Sequence, residues 1–293
     1  MDLYYKVKDN KYKNIRDVLK GHFLISTNLL TALKKNNKIF YNGINIYLDH
    51  DVDIGDEIVV NLDFYEDSEN IVPANLPLDI IFEDESMIIV NKPSNTPVHP
   101  SMLHYENTLS NAVKNYFNNK NIHSKIRPVN RLDKDTTGLV IFAKNQYVQE
   151  LLIKQMKNDS LKKYYLAILE GHLENKTGTI NAPISRKDNS IIEREINESG
   201  AEAISYYKLI KNYNSNGLDV CLVEFTLKTG RTHQLRVHSK YIGHPILGDT
   251  LYGTKSNLIS RQALHAYKLE FKHPINNKPM KIEIDLPNDM KKI

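Results

Sequence analysis

Cysteine is almost absent: Cys221 is the only one in 293 residues. A lone thiol excludes a disulfide framework and any zinc or iron–sulfur centre built from several cysteines. No run approaches the ~18 uninterrupted apolar residues of a membrane span. The opening stretch Met1-Asp2-Leu3-Tyr4-Tyr5-Lys6-Val7-Lys8 is polar and lacks the apolar region of a secretion signal, so a cytoplasmic protein is expected. Also missing are a Gly-x-Ser-x-Gly elbow and a Gly-x-Gly-x-x-Gly fingerprint, which leaves serine-hydrolase and dinucleotide readings without support. The segment Gly248 to Ser256 nearly matches a phosphate loop, but Thr254 intervenes between the second glycine and Lys255. The lysine is thereby displaced from the cradle, and no ATP site is expected. His233 and His238 are five apart, as are His99 and His104, not the i, i+4 spacing that sets two metal ligands on one helical face.

What remains is ordinary globular material, 41% hydrophobic and 25% charged, enough to bury a real core. A net charge of +4 is too mild to announce a nucleic-acid partner, but the charge is segregated. Between Asp63 and Met87 lie eight acids (Asp63, Glu66, Asp67, Glu69, Asp79, Glu83, Asp84, Glu85) and no Lys or Arg. Lys228, Arg231, Arg236 and Lys240 fall together without an acid, and Lys154, Lys157, Lys162 and Lys163 form a second basic group. Such separation suits a protein with one face for phosphates; its plainer reading is a solvated surface.

Three regions emerge. Residues 12–63 read as a small basic-edged module of two short helices and small strands, with Ser26 as an N-cap, Asn42-Gly43 as a turn, strands expected at Ile44–Tyr47 and Glu57–Leu62, and Lys34, Lys35 and Lys38 grouped before the turn. Residues 64–77, with Pro73 and Pro77, read as an acidic linker. Residues 78–293 read as α+β with a mixed, largely antiparallel sheet. There Gly138–Ala143 is a buried strand by its unbroken apolar character. Val148, Leu151, Leu152 and Met156 recur at helical spacing, and Cys221, Val223, Phe225 and Leu227 share the apolar face of a strand.

A short helix after Gly230 would place Arg231, Leu235, His238 and Ile242 on one inward side. A guanidinium there requires a carboxylate or phosphate partner. Asp133, ahead of the buried strand, is a candidate. Paired with a buried arginine it would stay ionised and fixed, as a nucleophile or general base needs; alternatively it is simply a turn or cap residue.

The run Arg127-Pro128-Val129-Asn130-Arg131-Leu132-Asp133-Lys134-Asp135-Thr136-Thr137-Gly138-Leu139-Val140 resembles the signature of the RluA/RluD family of RNA pseudouridine synthases. Four further stretches agree in the family's order. They are Asn91-Lys92-Pro93 with Val98-His99-Pro100; Lys163-Tyr164-Tyr165-Leu166-Ala167; Thr229 to His238 running on to Gly248-Asp249 and Tyr252-Gly253; and Leu264-His265-Ala266 with Phe271-Lys272-His273-Pro274. The resemblance spans about residues 78–287. The module at 12–63 more loosely resembles the αL RNA-binding domain named after ribosomal protein S-four. Two positions depart from the family: Asn130 stands where histidine is usual, and Thr137 where serine is.

The resemblance implies the pseudouridine synthase fold and an isomerase acting on uridine already in structured RNA. No group is lost in that reaction, so no cofactor, metal or ATP is implied. Asp133 would be the catalytic carboxylate, attacking covalently or assisting departure of the base. Arg231 would pair with it, and Tyr165 would stack on the uracil and help remove the carbon 5 proton. The base must leave its helix to react, and Arg131 would fill the vacated space. Lys228, Arg236 and Lys240, with Lys34 and Lys35 of the module, would hold the RNA backbone. Large-subunit (23S) ribosomal RNA is favoured over tRNA, and a monomer is expected. The competing readings are a non-catalytic RNA-binding protein on the same scaffold and an unrelated carboxylate enzyme for a small sugar or nucleoside. Retention of Asp133, Tyr165 and Arg231 argues against the first, the basic module and segregated charge against the second.

Overall fold

The computed structural model describes residues 1–66, 68–101 and 105–293. Asp67 of the acidic stretch and His104 of the second histidine pair lie outside the described residues. The chain begins with β1 (Asp2–Lys6), α1 (Ile15–Gly21), α2 (Thr27–Lys35), β2 (Ile39–Tyr41) and β3 (Glu57–Asn61). These strands form a sheet in the order β1-β3-β2, with Asp2 opposite Asn61. The module therefore starts at residue 2, ten residues before the boundary expected from sequence, because the polar opening stretch is an edge strand whose Leu3 alone is buried. Ser26 caps α2 as expected, its hydroxyl accepting from Leu29 N–H. The strand expected at Ile44–Tyr47 reduces to one bridge between Tyr41 and Ile44. The module shares an apolar core with Tyr147 of the region 78–293, and the Ser26 hydroxyl donates to Glu150 at 2.6 Å.

The larger region continues with β4 (Asp79–Glu83), β5 (Met87–Lys92), α3 (Leu109–Asn119), β6 (Arg127–Pro128), β7 (Thr137–Ala143), α4 (Gln146–Lys157) and β8 (Lys162–Glu170). Then come β9 (Thr177–Asn181), β10 (Ile184–Arg186), β11 (Arg194–Ile196), β12 (Ile204–Ser215) and β13 (Leu218–Leu227). The chain closes with α5 (Gln234–Tyr241), β14 (Leu264–Lys272), β15 (Pro279–Glu283) and α6 (Asn288–Lys291). The main sheet runs β4-β5-β7-β14-β8-β13-β12-β9, and all its pairs among the described residues are antiparallel except β7 with β14. The α+β expectation holds. Every residue of β7 is buried, which is why that strand reads as an unbroken apolar run instead of alternating.

The expected linker is laid against the body. Arg127 pairs with Glu66 at 2.6 Å, Asn111 Nδ2 donates to Val72 O at 2.6 Å, and Ile71 is buried in the core. Further acids of the stretch are also matched internally: Lys144 pairs with Glu83 at 2.7 Å and His273 with Asp84 at 2.6 Å. Part of the apparent charge segregation is thus local in sequence only.

Where β7 meets β14, the backbones approach so closely that a side chain has no room. Gly138 has φ +117°, and a Cβ on it would stand 2.2 Å from the Ala266 carbonyl oxygen. Gly138→Ala is expected to cost about 3 kcal/mol or more, combining backbone strain with overpacking. A urea midpoint unchanged from the parent would contradict this.

Candidate active site

Asp133 lies in the loop that leads into β7, the one place where the sheet changes from antiparallel to parallel pairing among the described residues. Around it opens a pocket of about 620 Å³, within the range of small-ligand sites. Its walls include Arg131, Asp133, Lys163, Tyr165, Arg231, His233 and Arg236. A wider groove of about 940 Å³ shares His99 and Ser101 with it and extends past Lys125 and Arg127.

The loop's shape has two anchors. Asn130, the departure from the family's usual histidine, bridges to β7 like a peptide unit: Oδ1 accepts from Ile141 N–H at 2.9 Å and Nδ2 donates to Leu139 O at 3.1 Å. The other departure, Thr137, keeps a hydroxyl 2.8 Å from His265 Nδ1. Burial and the Arg261 charge push His265 down to about 4, so its ring is neutral. The second anchor was not foreseen in any role. Lys92 is fully buried, and its Nζ donates to the carbonyls of Pro93, Thr96 and Lys134 at 2.7–2.8 Å. Burial pushes its pKa down to about 7, against the pull of Asp135 and Asp133. Three acceptors need three N–H groups, which only the ammonium form carries. Lys92→Met removes all three donors beside the Asp133 loop and is expected to cost ~2–4 kcal/mol. A thermal midpoint like the parent's would show that the loop holds itself.

The arginine beside Asp133 is not the one expected. Arg236 Nη1 donates to Asp133 Oδ2 at 3.2 Å, while its Nε and Nη2 take both oxygens of Asp249 at 2.6 and 2.8 Å. Arg231 is exposed, and its Nε donates to the Glu202 carbonyl at 2.8 Å. The reason is local. Gln234 Oε1 accepts from Arg231 N–H and from the Thr229 hydroxyl, so the chain stays looped there and α5 begins only at Gln234. The inward stripe counted from Arg231 therefore starts on the wrong residue. Arg236 is correspondingly no surface cation for RNA backbone: it is 8% exposed and committed to two carboxylates. Burial works against its charge, yet the Asp249 hydrogen bonds and the Asp249 and Asp133 charges hold its pKa above the usual range. Asp249 is presented by Gly248, where φ is +75° and a Cβ would meet the Arg261 carbonyl oxygen at 2.4 Å.

Tyr165, on β8 opposite Ala266 and Phe225, is 5% exposed. Burial first, and then the Asp133 charge, push its pKa well above that of a free phenol, so it faces the pocket as a neutral ring and hydroxyl. Arg131 is exposed at the rim. Lys163, counted from sequence only within a basic group, lines the same pocket with its pKa lowered by burial. Lys228 and Lys240 are exposed but do not line the pocket, and Lys34 and Lys35 are exposed in the last turn of α2. Cys221 is fully buried, and burial pushes its thiol up to about 11, as suits a core residue.

Residues 86–241, which carry the Asp133 loop, β8 and α5, match the family described as RNA pseudouridylate synthase. Over 283 residues the chain is 38% identical to a Bacillus subtilis (strain 168) protein named as an uncharacterized RNA pseudouridine synthase, YhcT, covering 93% of this chain and 92% of that one. The chain belongs to the RNA pseudouridylate synthase family. Members isomerise uridine in RNA, and this chain is an isomerase of that kind with RNA as its substrate. It is also 37% identical over 240 residues to the ribosomal large subunit pseudouridine synthase D of Blochmanniella floridana, covering 76% and 74% of the two chains. Among solved structures it is similar to human RNA pseudouridylate synthase domain containing 1, with a TM-score of 0.60 and 26% identity over 71% of this chain and 83% of that one. The main sheet and its α5 crossover are therefore the pseudouridine synthase fold, as expected. Among the described residues no helix is long and apolar enough to cross a membrane.

Proposed function

We propose that this enzyme isomerises one or more uridines of large-subunit (23S) ribosomal RNA, with Asp133 as the reacting carboxylate. The observation that carries the reading is the Asp133 side chain at the pocket wall, one oxygen held by Arg236 and the neutral ring of Tyr165 beside it. In the reaction the N1–C1′ bond breaks, the uracil turns, the C5–C1′ bond forms, and the C5 proton leaves while N1 gains one. Asp133 either attacks C1′ or assists departure of the base; in both roles it must be ionised and aimed, which the guanidinium of Arg236 supplies. Tyr165 stacks on the extruded uracil, and its hydroxyl serves the proton transfer at C5. The exposed Arg131 at the rim fills the space the base vacates, a task suited to a planar cation.

Backbone phosphates fall to exposed cations: Arg131 and Arg231 at the pocket, Lys228 and Lys240 beyond it, and Lys34 and Lys35 on the N-terminal module, which we read as an αL-type RNA-binding domain spanning residues 2–63. The ribosomal assignment is supported by the relatives named for the large subunit.

Pseudouridine mapping of total RNA, from cells with and without this gene and after complementation by the parent or Asp133→Asn, tests it. We expect a 23S site to vanish and return with the parent copy alone. Loss confined to tRNA would overturn the substrate, and restoration by Asp133→Asn would overturn the carboxylate's role.

A further inference from the structure

His233 lines the same pocket as Tyr165, and its backbone is uncommon for a residue with a side chain. It stands immediately before α5 with φ 57°, in the left-handed region that residues with a side chain adopt uncommonly, His, Asn and Asp more readily than most. Helix capping does not account for this, because its side chain makes no capping bond to α5. The turn does aim the imidazole at Asp133. His233 Nδ1 is 2.9 Å from the Tyr252 hydroxyl, which itself accepts from Arg194 N–H at 2.8 Å. A phenol has one proton to give. Among the described residues Nδ1 is the acceptor within reach of that proton, so the phenol donates to Nδ1 and the neutral ring carries its own proton on Nε2. Nε2 stands 3.9 Å from Asp133 Oδ2, the same oxygen that accepts from Arg236.

We propose that His233 is a positioning residue for Asp133: an imidazole held by Tyr252 as the Nε2–H tautomer, which with Arg236 claims Oδ2 and leaves Oδ1 as the oxygen that meets the ribose. The inference rests on Asp133 being the reacting carboxylate. Contacts of this kind are commonly long in an unliganded site and tighten when substrate arrives. The charged groups facing the ring are Asp133 and Asp249, which raise its pKa, and Arg236 and Arg194, which lower it; burial is the largest influence, and the balance is downward. The ring is therefore neutral at neutral pH. Protonation at lower pH would turn it into a counter-ion for Asp133 and weaken the carboxylate, giving an acid limb in the rate profile.

Two variants separate positioning from folding. His233→Asn tolerates the left-handed backbone and keeps a short amide toward Tyr252, but ends before Asp133. His233→Gln reaches Asp133 with an N–H and cannot titrate. We expect His233→Asn to lower kcat by ~10–100-fold, the worth of a hydrogen bond to a charged group, with KM nearly unchanged. His233→Gln should recover most of that rate and lose the acid limb. Equal rates and unaltered pH profiles in both variants overturn the proposal, as do equal losses that track their thermal midpoints. Should neither variant fold, Tyr252→Phe leaves the His233 backbone alone and frees the tautomer. A lowered kcat with a shifted acid limb then supports the proposal, and the parent profile overturns it. Asp133→Asn measured alongside keeps the two readings apart: turnover by that variant defeats the role of Asp133 itself, whereas its inactivity beside a fully active His233→Asn defeats only the role of His233.

Discussion

Asp133→Asn is expected to bind structured RNA as tightly as the parent chain and to turn over at least ~10⁴-fold more slowly, the scale seen when a reacting side chain is removed from an otherwise intact site. The substitution is isosteric. The amide oxygen it introduces can still accept from Arg236 Nη1, and both bonds from Arg236 to Asp249 are untouched. Stability should therefore move little. Binding should survive because the exposed cations proposed to hold the RNA backbone lie outside this contact, and it should fall steeply with salt in both proteins alike. Release of tritium from RNA labelled at uridine carbon 5 reads the loss of the C5 proton directly, and filter binding at two salt concentrations reads affinity. Turnover above about 1% of the parent's would place the chemistry on another group, since a loss of only ~100-fold is within what a positioning contact supplies.

How far the sequence led depends on whether a feature was set locally. β7 and the Asp133 loop before it were legible because a fully buried strand writes its environment into an unbroken apolar run. Tyr165 was legible through the resemblance and takes its place on β8, opposite Phe225. The arginine was misassigned because the start of α5 is set by tertiary contacts, not by helix propensity. Gln234 Oε1 holds the Thr229–Arg231 loop while its Nε2 donates to Ile204 O and Ser205 Oγ. A helix counted from Gly230 cannot know of those partners. β12 escaped for a different reason: a bulge between Leu209 and Lys211 breaks the alternation by which a half-buried strand is recognised. Lys92 carried a signal, a lysine between a buried strand and Pro93, but while Pro93 and Thr96 are its near neighbours in sequence, its third acceptor, Lys134 O, lies in the Asp133 loop and is brought to it only by the fold.

Arg236→Met should be the most damaging single change after loss of Asp133, and it should damage two separable properties. Asp249 has no solvent exposure of its side chain, and Arg236 is its only cationic partner among the described residues. Truncating the guanidinium leaves that carboxylate buried with only the N–H groups of Leu251 and Tyr252, at 3.0 and 3.2 Å. Stranding one partner of a buried pair costs ~3–5 kcal/mol. Arg236→Lys does not rescue it, because one ammonium cannot serve two carboxylates in the fork geometry seen here. By contrast Arg231→Gln, exposed and bonded to a carbonyl, should change stability by no more than ~0.5 kcal/mol. The double variant Arg236→Met/Asp249→Asn separates the roles. An amide at 249 keeps an oxygen for Leu251 and Tyr252 and removes the stranded charge, so most of the lost stability should return in urea denaturation. Asp133, however, still lacks the cation that holds Oδ2, and turnover should remain ~10–100-fold below the parent's. Recovery of turnover together with stability would mean that Arg236 serves the fold through Asp249 and that Asp133 is aimed by other contacts, with His233 then the nearest described candidate at 3.9 Å.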